Sequence, residues 1–190
     1  MTKNIMIVGV GGQGTLLASK IIGKLFVAKG FDVKVSEVHG MSQRGGSVVT
    51  YVRFGDRVYS PMIDKGEADY ILSFELLEAA RWTEYLKKDG ILITNTQKTN
   101  PMPVIIGAAS YPENIEEKIK GLGLNLDAFD ALSLAEAAGS AKAVNLVLLG
   151  RLSRHFDYAD EDWLAVIREC VPEKFIDMNI KAFYAGKEVK

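Results

Sequence analysis

The sequence predicts an α/β fold: three layers, a Rossmann-like, mostly parallel sheet, a β-hairpin insertion and a helical C-terminal part. Three observations predict it. Ile5-Met6-Ile7-Val8 is a continuous apolar run, as expected of a central strand buried on both faces. The run enters a glycine-rich turn, Gly9 to Gly14. From Thr15 the apolar spacing becomes that of a helix face, with Leu17, Ile21 and Leu25, and with Ile22 and Phe26 beside them. Beyond that, strand-like and helix-like segments alternate, the pattern of a layered domain with parallel strands.

The elements follow in order. The first helix stops at Gly30, and Phe31 to Glu37 reads as a second strand, completing a βαβ unit. Glu37 to Gly46 has no period and holds three glycines, so it is a loop. Ser47 to Phe54 is rich in β-branched and aromatic residues. Gly55-Asp56 then predicts a tight turn into Arg57-Val58-Tyr59, and with it the hairpin. Ala68 to Ser73 reads as a strand, Glu75 to Lys88 as a helix ended by Gly90, and Ile91 to Thr94 as a strand. Val104 to Ile106 is a short strand candidate. Glu113 to Lys120 is a charged amphipathic helix, and Leu124 to Phe129 is ambiguous. Ala141 to His155, Asp160 to Cys170 and a segment near Pro172 to Tyr184 read as helices, the last begun by a proline tolerated in a first turn. No linker, repeat or low-complexity stretch divides the chain, so residues 1–190 form a single domain.

Composition narrows the function classes. The 190 residues are 48% hydrophobic and 25% charged, which excludes a disordered tail or a charged coiled coil. A formal net charge of −1 gives no basis for binding nucleic acid or an anionic membrane through bulk charge. No apolar run reaches the ~18 residues of a membrane span, and no secretory signal is visible, so the expected location is the cytoplasm. The sole cysteine, Cys170, cannot make an internal disulfide or a four-cysteine iron–sulfur site. No set of His, Asp or Glu has metal-ligand spacing, so no metal is expected on this chain.

Two segments carry candidate chemistry. Gly9-Val10-Gly11-Gly12-Gln13-Gly14 fits G-x-G-x-x-G between a strand and a helix. Glycines allow close backbone approach, and the N–H groups at a helix start attract phosphate oxygens. Gly9, Gly11, Gly12, Gln13 and Gly14 are therefore cofactor-binding candidates. Glu37, at the end of the second strand, stands where a dinucleotide fold carries its ribose-binding acid. A tight packing turn that binds nothing is the alternative. In the loop, Ser42, Gln43, Arg44, Gly45 and Gly46 join the binding candidates: Arg44 suits a phosphate or carboxylate, and Gly45-Gly46 suit backbone donation to an anion. His39 and Arg44 are the catalytic candidates. A structural role for His39, or an interface role for the whole loop, stays open. His155 reads as a helix C-terminal cap, Cys170 as a buried thiol, Trp82 and Trp163 as packing residues, and Glu113, Glu116 and Glu117 as a solvated face.

At these segments the chain resembles a known family, the gamma domain of the 2-oxoacid:ferredoxin oxidoreductases, and most closely its indolepyruvate-type beta subunits. The resemblance is carried by Gly9 to Gly14, by Glu37-Val38-His39-Gly40-Met41-Ser42-Gln43-Arg44-Gly45-Gly46 followed by Val48, and by Ser140 to Asn145 leading to Leu149-Gly150. It implies oxidative decarboxylation of arylpyruvates (indolepyruvate, phenylpyruvate) with coenzyme A as co-substrate, giving the aryl-acetyl-CoA, CO2 and reduced ferredoxin. It also implies that thiamine diphosphate, Mg2+ and [4Fe-4S] clusters sit on a larger alpha subunit, in a hetero-oligomer with two of each chain, and that this chain is inactive alone. Arg44 is then the first choice for contact with coenzyme A or a substrate carboxylate. The readings that compete are a subunit for pyruvate or 2-oxoglutarate, a stand-alone NAD- or FAD-binding protein, and a structural subunit that binds no ligand.

Overall fold

The computed structural model describes residues 2–39 and 45–189. Six strands form one sheet: β1 (Lys3–Val10), β2 (Asp32–His39), β3 (Ser47–Gly55), β4 (Ala68–Ser73), β5 (Leu86–Asn95) and β6 (Asn125–Phe129). Their order is β2-β3-β1-β4-β5-β6. The ladders β1–β4, β4–β5 and β5–β6 are parallel, whereas β3 runs antiparallel to both β1 and β2. The sheet is therefore mixed, with β3 the one reversed strand.

Among the described residues eight α-helices accompany it: α1 (Thr15–Ala28), α2 (Leu76–Arg81), α3 (Met102–Ile105), α4 (Ile115–Gly121), α5 (Ala131–Ala138), α6 (Val144–Ser153), α7 (Asp160–Cys170) and α8 (Ile176–Glu188). The continuous apolar run of β1 is explained by what lies on each face. Ile5 and Ile7 pack into a core built with α1, α5, α6, α7 and α8. Met6 and Val8 point the other way, into a second core with α2 and α4. Successive strand side chains face opposite sides, so a strand sandwiched between helical layers has no polar position to offer. Within the first layer α6 and α8 approach so closely that a Cβ on Gly150 would lie 1.9 Å from the Phe183 carbonyl oxygen. One on Gly186 would lie 1.8 Å from that of Val147. These glycines are what let the two backbones touch.

Several expected elements take a different form. The hairpin is β2–β3, paired from Asp32↔Gly55 to His39↔Val48. Arg57 to Tyr59 forms no strand, because the Val58 N–H donates to the Asp32 carboxylate (2.8 Å) rather than to a ladder. The expected helix from Glu75 to Lys88 ends at Arg81, and a 3-10 turn over Thr83–Tyr85 leads directly into β5. Leu86 pairs with Ala68 and Ile91 with Tyr70, so Lys87 to Gly90 bulge opposite Asp69, which takes the Lys87 ammonium at 2.9 Å. Gly90 lies inside this strand, not at a helix end: a Cβ there would meet the Ala68 carbonyl oxygen at 2.9 Å. Val104 to Ile106 falls in and just after α3, where Pro101 and Pro103 favour a first helical turn over a strand. Leu124 to Phe129 resolves as β6, and α5, begun by Asp130 accepting from the Ser133 N–H (2.9 Å), had no sequence-level expectation.

Candidate functional site

The chain leaves β1 toward one side of the sheet, to β2 and β3, and then returns to build the other side with β4, β5 and β6. The carboxyl end of β1 is thus the point where strand order reverses, the usual place for a ligand crevice in an open α/β sheet. The glycine turn sits there. Gly14 takes the N-cap position of α1 at φ 92°, a left-handed conformation, and no side chain caps the helix. Gly14 has no side chain to accept from the first-turn N–H groups of α1, and the macrodipole adds attraction for an anion.

The turn is braced from three directions. Gln13 Oε1 accepts from the Val10 N–H (2.7 Å), and Gln13 Nε2 donates to the Phe74 carbonyl (3.4 Å). A Cβ on Gly9 would strike Gln13 Oε1 at 2.8 Å and Phe74 Cβ at 2.9 Å, so Gly9 is required by this brace. The Gly11 N–H donates to the Gly46 carbonyl (2.9 Å) and the Gly45 N–H to the Gly11 carbonyl (3.4 Å). These bonds join the glycine turn to the far end of the Glu37–Gly46 loop. From the helical layer, Asn145 Nδ2 donates to the Gly14 carbonyl (3.5 Å), and Asn145 itself is buried. A Cβ on Gly14 would lie 2.8 Å from that amide nitrogen.

The turn forms a ridge between two clefts. One, of about 350 Å³, is lined by Gly11, Gly12, Gly14, Thr15, Leu16, Glu37, His39 and Val48. The other, of about 490 Å³, lies among Gly12, Gln13, Gly14, Gln97, Leu132, Ala141, Lys142 and Val144. The structure thus brings Gly11, Gly12, Gly14, Glu37 and His39 to one crevice, and Gly45 and Gly46 against it through their bonds to Gly11. Ser42, Gln43 and Arg44 lie outside the described residues. Glu37 accepts from Thr50 Oγ1 at 3.2 Å. Because β3 intervenes, β2 stands two strand spacings, about 10 Å, from β1. A dinucleotide fold places its acid on the adjacent strand, and its first glycine N–H groups face pyrophosphate. Here the acid is a strand further away and the Gly11 N–H is already taken by Gly46. The geometry fits an anion held at the ridge better than a full dinucleotide.

Sequence reasoning missed a buried carboxylate at the same edge. Glu75, 1% exposed, follows β4 and accepts from the Glu78 N–H (2.9 Å), the Thr99 N–H (2.9 Å) and the Tyr111 hydroxyl (2.5 Å). Burial, then the bond to Glu75, holds the Tyr111 phenol well above the ordinary tyrosine range. No sequence signal pointed to it, because glutamate is not among the favoured N-cap residues. Beside it Ser47 Oγ donates to Glu78 (2.5 Å), tying β3 to α2. His155 lies just past α6 against the Tyr70 ring, with ring centres 5.6 Å apart, and burial lowers its pKa. Trp163 is buried, and burial pushes the Cys170 thiol up. Among the described residues no group of His, Cys, Asp or Glu could hold a metal ion, and no helix is long and apolar enough to cross a membrane. With one cysteine in the sequence, this chain's residues do not fit a cubane cluster.

Comparison with known proteins bears on this geometry. Residues 4–189 match the family model described as pyruvate ferredoxin/flavodoxin oxidoreductase. The chain is 47% identical to the indolepyruvate oxidoreductase subunit IorB of Thermococcus kodakarensis, covering 96% of this chain and 93% of that one. Its fold is shared with pyruvate oxidoreductase subunit PORC of Thermotoga maritima, with a TM-score of 0.75 at 23% identity over 98% of this chain and 96% of that one. It is shared also with 2-oxoglutarate:ferredoxin oxidoreductase of Magnetococcus marinus, with a TM-score of 0.73 at 19% identity over 98% of this chain but only 30% of that longer one. The mixed sheet, the braced glycine turn and a match along nearly the whole length lead to one conclusion: the chain belongs to the pyruvate ferredoxin/flavodoxin oxidoreductase family.

Proposed function

We propose that this chain is the beta subunit of an indolepyruvate:ferredoxin oxidoreductase. The reaction is oxidative decarboxylation of an arylpyruvate with coenzyme A to an aryl-acetyl-CoA and CO2, with the electrons passed to ferredoxin. The observation that carries the reading is the 47% identity, over 96% of the chain, to a subunit of an indolepyruvate oxidoreductase. The similarity to a pyruvate/ketoisovalerate subunit, 27% identical over 77% of the chain, is weaker in both respects. The chemistry of carbanion formation and single-electron transfer belongs to thiamine diphosphate and iron–sulfur clusters, which the reading places, with Mg2+, on a larger alpha subunit. The single cysteine supports that division.

This chain's share is an anion-holding edge in the cytoplasmic complex. The uncapped start of α1, with Gly12 and Gly14, offers backbone N–H groups to a phosphate of coenzyme A. Gln13, Gly9, Gly45 and Gly46 fix the shape of that edge through the bonds already described. The reading adds Ser42, Gln43 and Arg44, which lie outside the described residues, as further contacts, with Arg44 the one for coenzyme A or the substrate carboxylate, and His39 lines the same crevice as the turn.

The test is reconstitution with the larger subunit under anaerobic conditions, following viologen-dye or ferredoxin reduction. The expected result is reduction that needs both chains, coenzyme A and an arylpyruvate; no reduction with any 2-oxoacid contradicts the reading. Within the active complex, Arg44→Ala is expected to raise KM for coenzyme A or the arylpyruvate about tenfold, the loss of one charge-assisted contact. An unchanged KM for both removes Arg44 from the site.

A further inference from the structure

Residues 45–47 carry the chain into β3, and they touch the glycine ridge on the way. The Gly46 carbonyl accepts from the Gly11 N–H (2.9 Å), and the Gly45 N–H donates to the Gly11 carbonyl (3.4 Å). Ser47, the first residue of β3, lies opposite Val10, the last of β1. The Gly46 carbonyl belongs to the planar peptide unit that ends at the Ser47 nitrogen, so the setting of Ser47 decides where that carbonyl points. Glycines at 45 and 46 give this backbone little preference of its own, and Gly45 already sits at φ 77°. The peptide needs a hold from outside.

α2 supplies that hold. The Glu78 side chain is 6% exposed, and its Oε2 accepts from Ser47 Oγ at 2.5 Å. A hydroxyl donating to a carboxylate makes a short, charge-assisted bond. The carboxylate is itself presented from a fixed point. The Glu78 N–H donates to Glu75 Oε2 (2.9 Å), and Leu76 and Ala79 bury the same helix in the second core. Arg81 Nε lies 3.5 Å from Glu78 Oε1 on the solvent side. Taking a carboxylate out of water is costly, and an apolar residue would serve packing at this position as well. What the carboxylate adds is direction, because it grips the side chain at the end of the Gly46–Ser47 peptide.

We propose that Glu78 is a positioning residue for the binding edge. Through Ser47 it keeps the Gly46 carbonyl on the Gly11 N–H, and so keeps the ridge in the form that presents Gly12 and Gly14 to an anion. This rests on the reading of the ridge as the place where a phosphate of coenzyme A is held. Glu78 lines neither of the two clefts beside the ridge, so its influence travels through the bond to Ser47. When that bond is lost, the Gly46–Ser47 peptide is free to turn and the Gly46 carbonyl to leave Gly11. The anion then meets a looser edge, while the carbanion and electron-transfer steps, assigned to the larger subunit, keep their groups. The signature of such a loss is a higher KM for coenzyme A at an unaltered kcat.

The test uses the reconstituted two-subunit complex under anaerobic conditions. Ser47→Ala and Glu78→Ala should each raise KM for coenzyme A about fivefold, with kcat within about twofold of wild type. Because both act through one bond, the double variant should be no worse than the more damaging single, in place of the ~25-fold that independent effects would give. Ser47→Thr keeps the hydroxyl and should keep the wild-type KM. Ser47 is exposed, so its two variants should fold and decide the matter even where Glu78→Ala does not. An unchanged KM in Ser47→Ala, KM effects that multiply in the double variant, or a loss of Tm with KM intact overturns the positioning role. A wild-type complex that reduces no dye with any 2-oxoacid overturns the subunit reading and this role with it. A wild type that turns over while the variants match it overturns this role alone.

Discussion

The glycine turn after β1 is held by bonds from three parts of the chain, whereas the arm formed by residues 99–112 after β5 is tied at its base to one carboxylate. Gln13, Gly46 and Asn145 each grip a different backbone group of the turn. The arm depends on Glu75, which gathers an amide and a phenol from residues far apart in sequence. Distributed bracing makes a rigid ridge suited to an anion. A single buried anchor makes an arm whose stem is fixed and whose tip is exposed. The difference also implies different vulnerabilities: the turn should degrade in steps, and the arm should fail at one residue.

Glu75→Ala is the largest expected effect. It leaves three donors without their acceptor in a buried setting, and should cost about 3–5 kcal/mol in urea unfolding. A loss under about 1 kcal/mol would show that the arm's base is held by something else. Gly14→Ala comes next. It forces a left-handed backbone on an L residue and presses on Asn145 Nδ2, for about 2–3 kcal/mol. The same substitution in an Asn145→Ala background should cost about 1 kcal/mol less, since only the backbone strain remains. Equal costs would mean that Asn145 does not brace the turn.

A smaller effect should come from pH. The folded state raises the Tyr111 pKa, so the unfolded chain loses that proton first, near pH ~10. Stability from this group is complete below that pH and falls as pH rises further. Tyr51 and Tyr70 are also raised by burial, so the comparison must be with Tyr111→Phe, whose stability should fall less steeply above pH ~10. Parallel curves would separate Tyr111 from the anchor. The smallest effect is Ile105→Asp in the isolated chain, where Tm should not move.

The two regions were unequally legible in the sequence. The ridge announced itself because its causes are local: an apolar run, glycines at fixed offsets and a change of period. Even so, the partner of Gly14, Asn145, was visible only through family resemblance, since the contact spans the domain. The arm was hidden. Val104-Ile105-Ile106 has strand composition, and its helical turn is set by the two prolines before it and by bonds to the Pro101 and Met102 carbonyls. The helix expected through Lys88 gave way to tertiary pairing: Leu86 and Ile91 pair with Ala68 and Tyr70, with Lys87 to Gly90 bulged opposite Asp69. The hairpin was expected one turn too late, because a strand's sequence does not say which neighbour it will pair with. Glu75 read as the first residue of a helix, and its bonds to Thr99 and Tyr111 are a tertiary fact.

The central claim is that this chain serves an arylpyruvate oxidoreductase. The most direct measurement is kcat/KM of the reconstituted two-subunit enzyme for indolepyruvate against pyruvate, both with coenzyme A and ferredoxin. The account predicts a value for indolepyruvate at least ten times that for pyruvate, and no turnover when this chain is omitted. A preference for pyruvate, or full activity from the larger subunit alone, would contradict it.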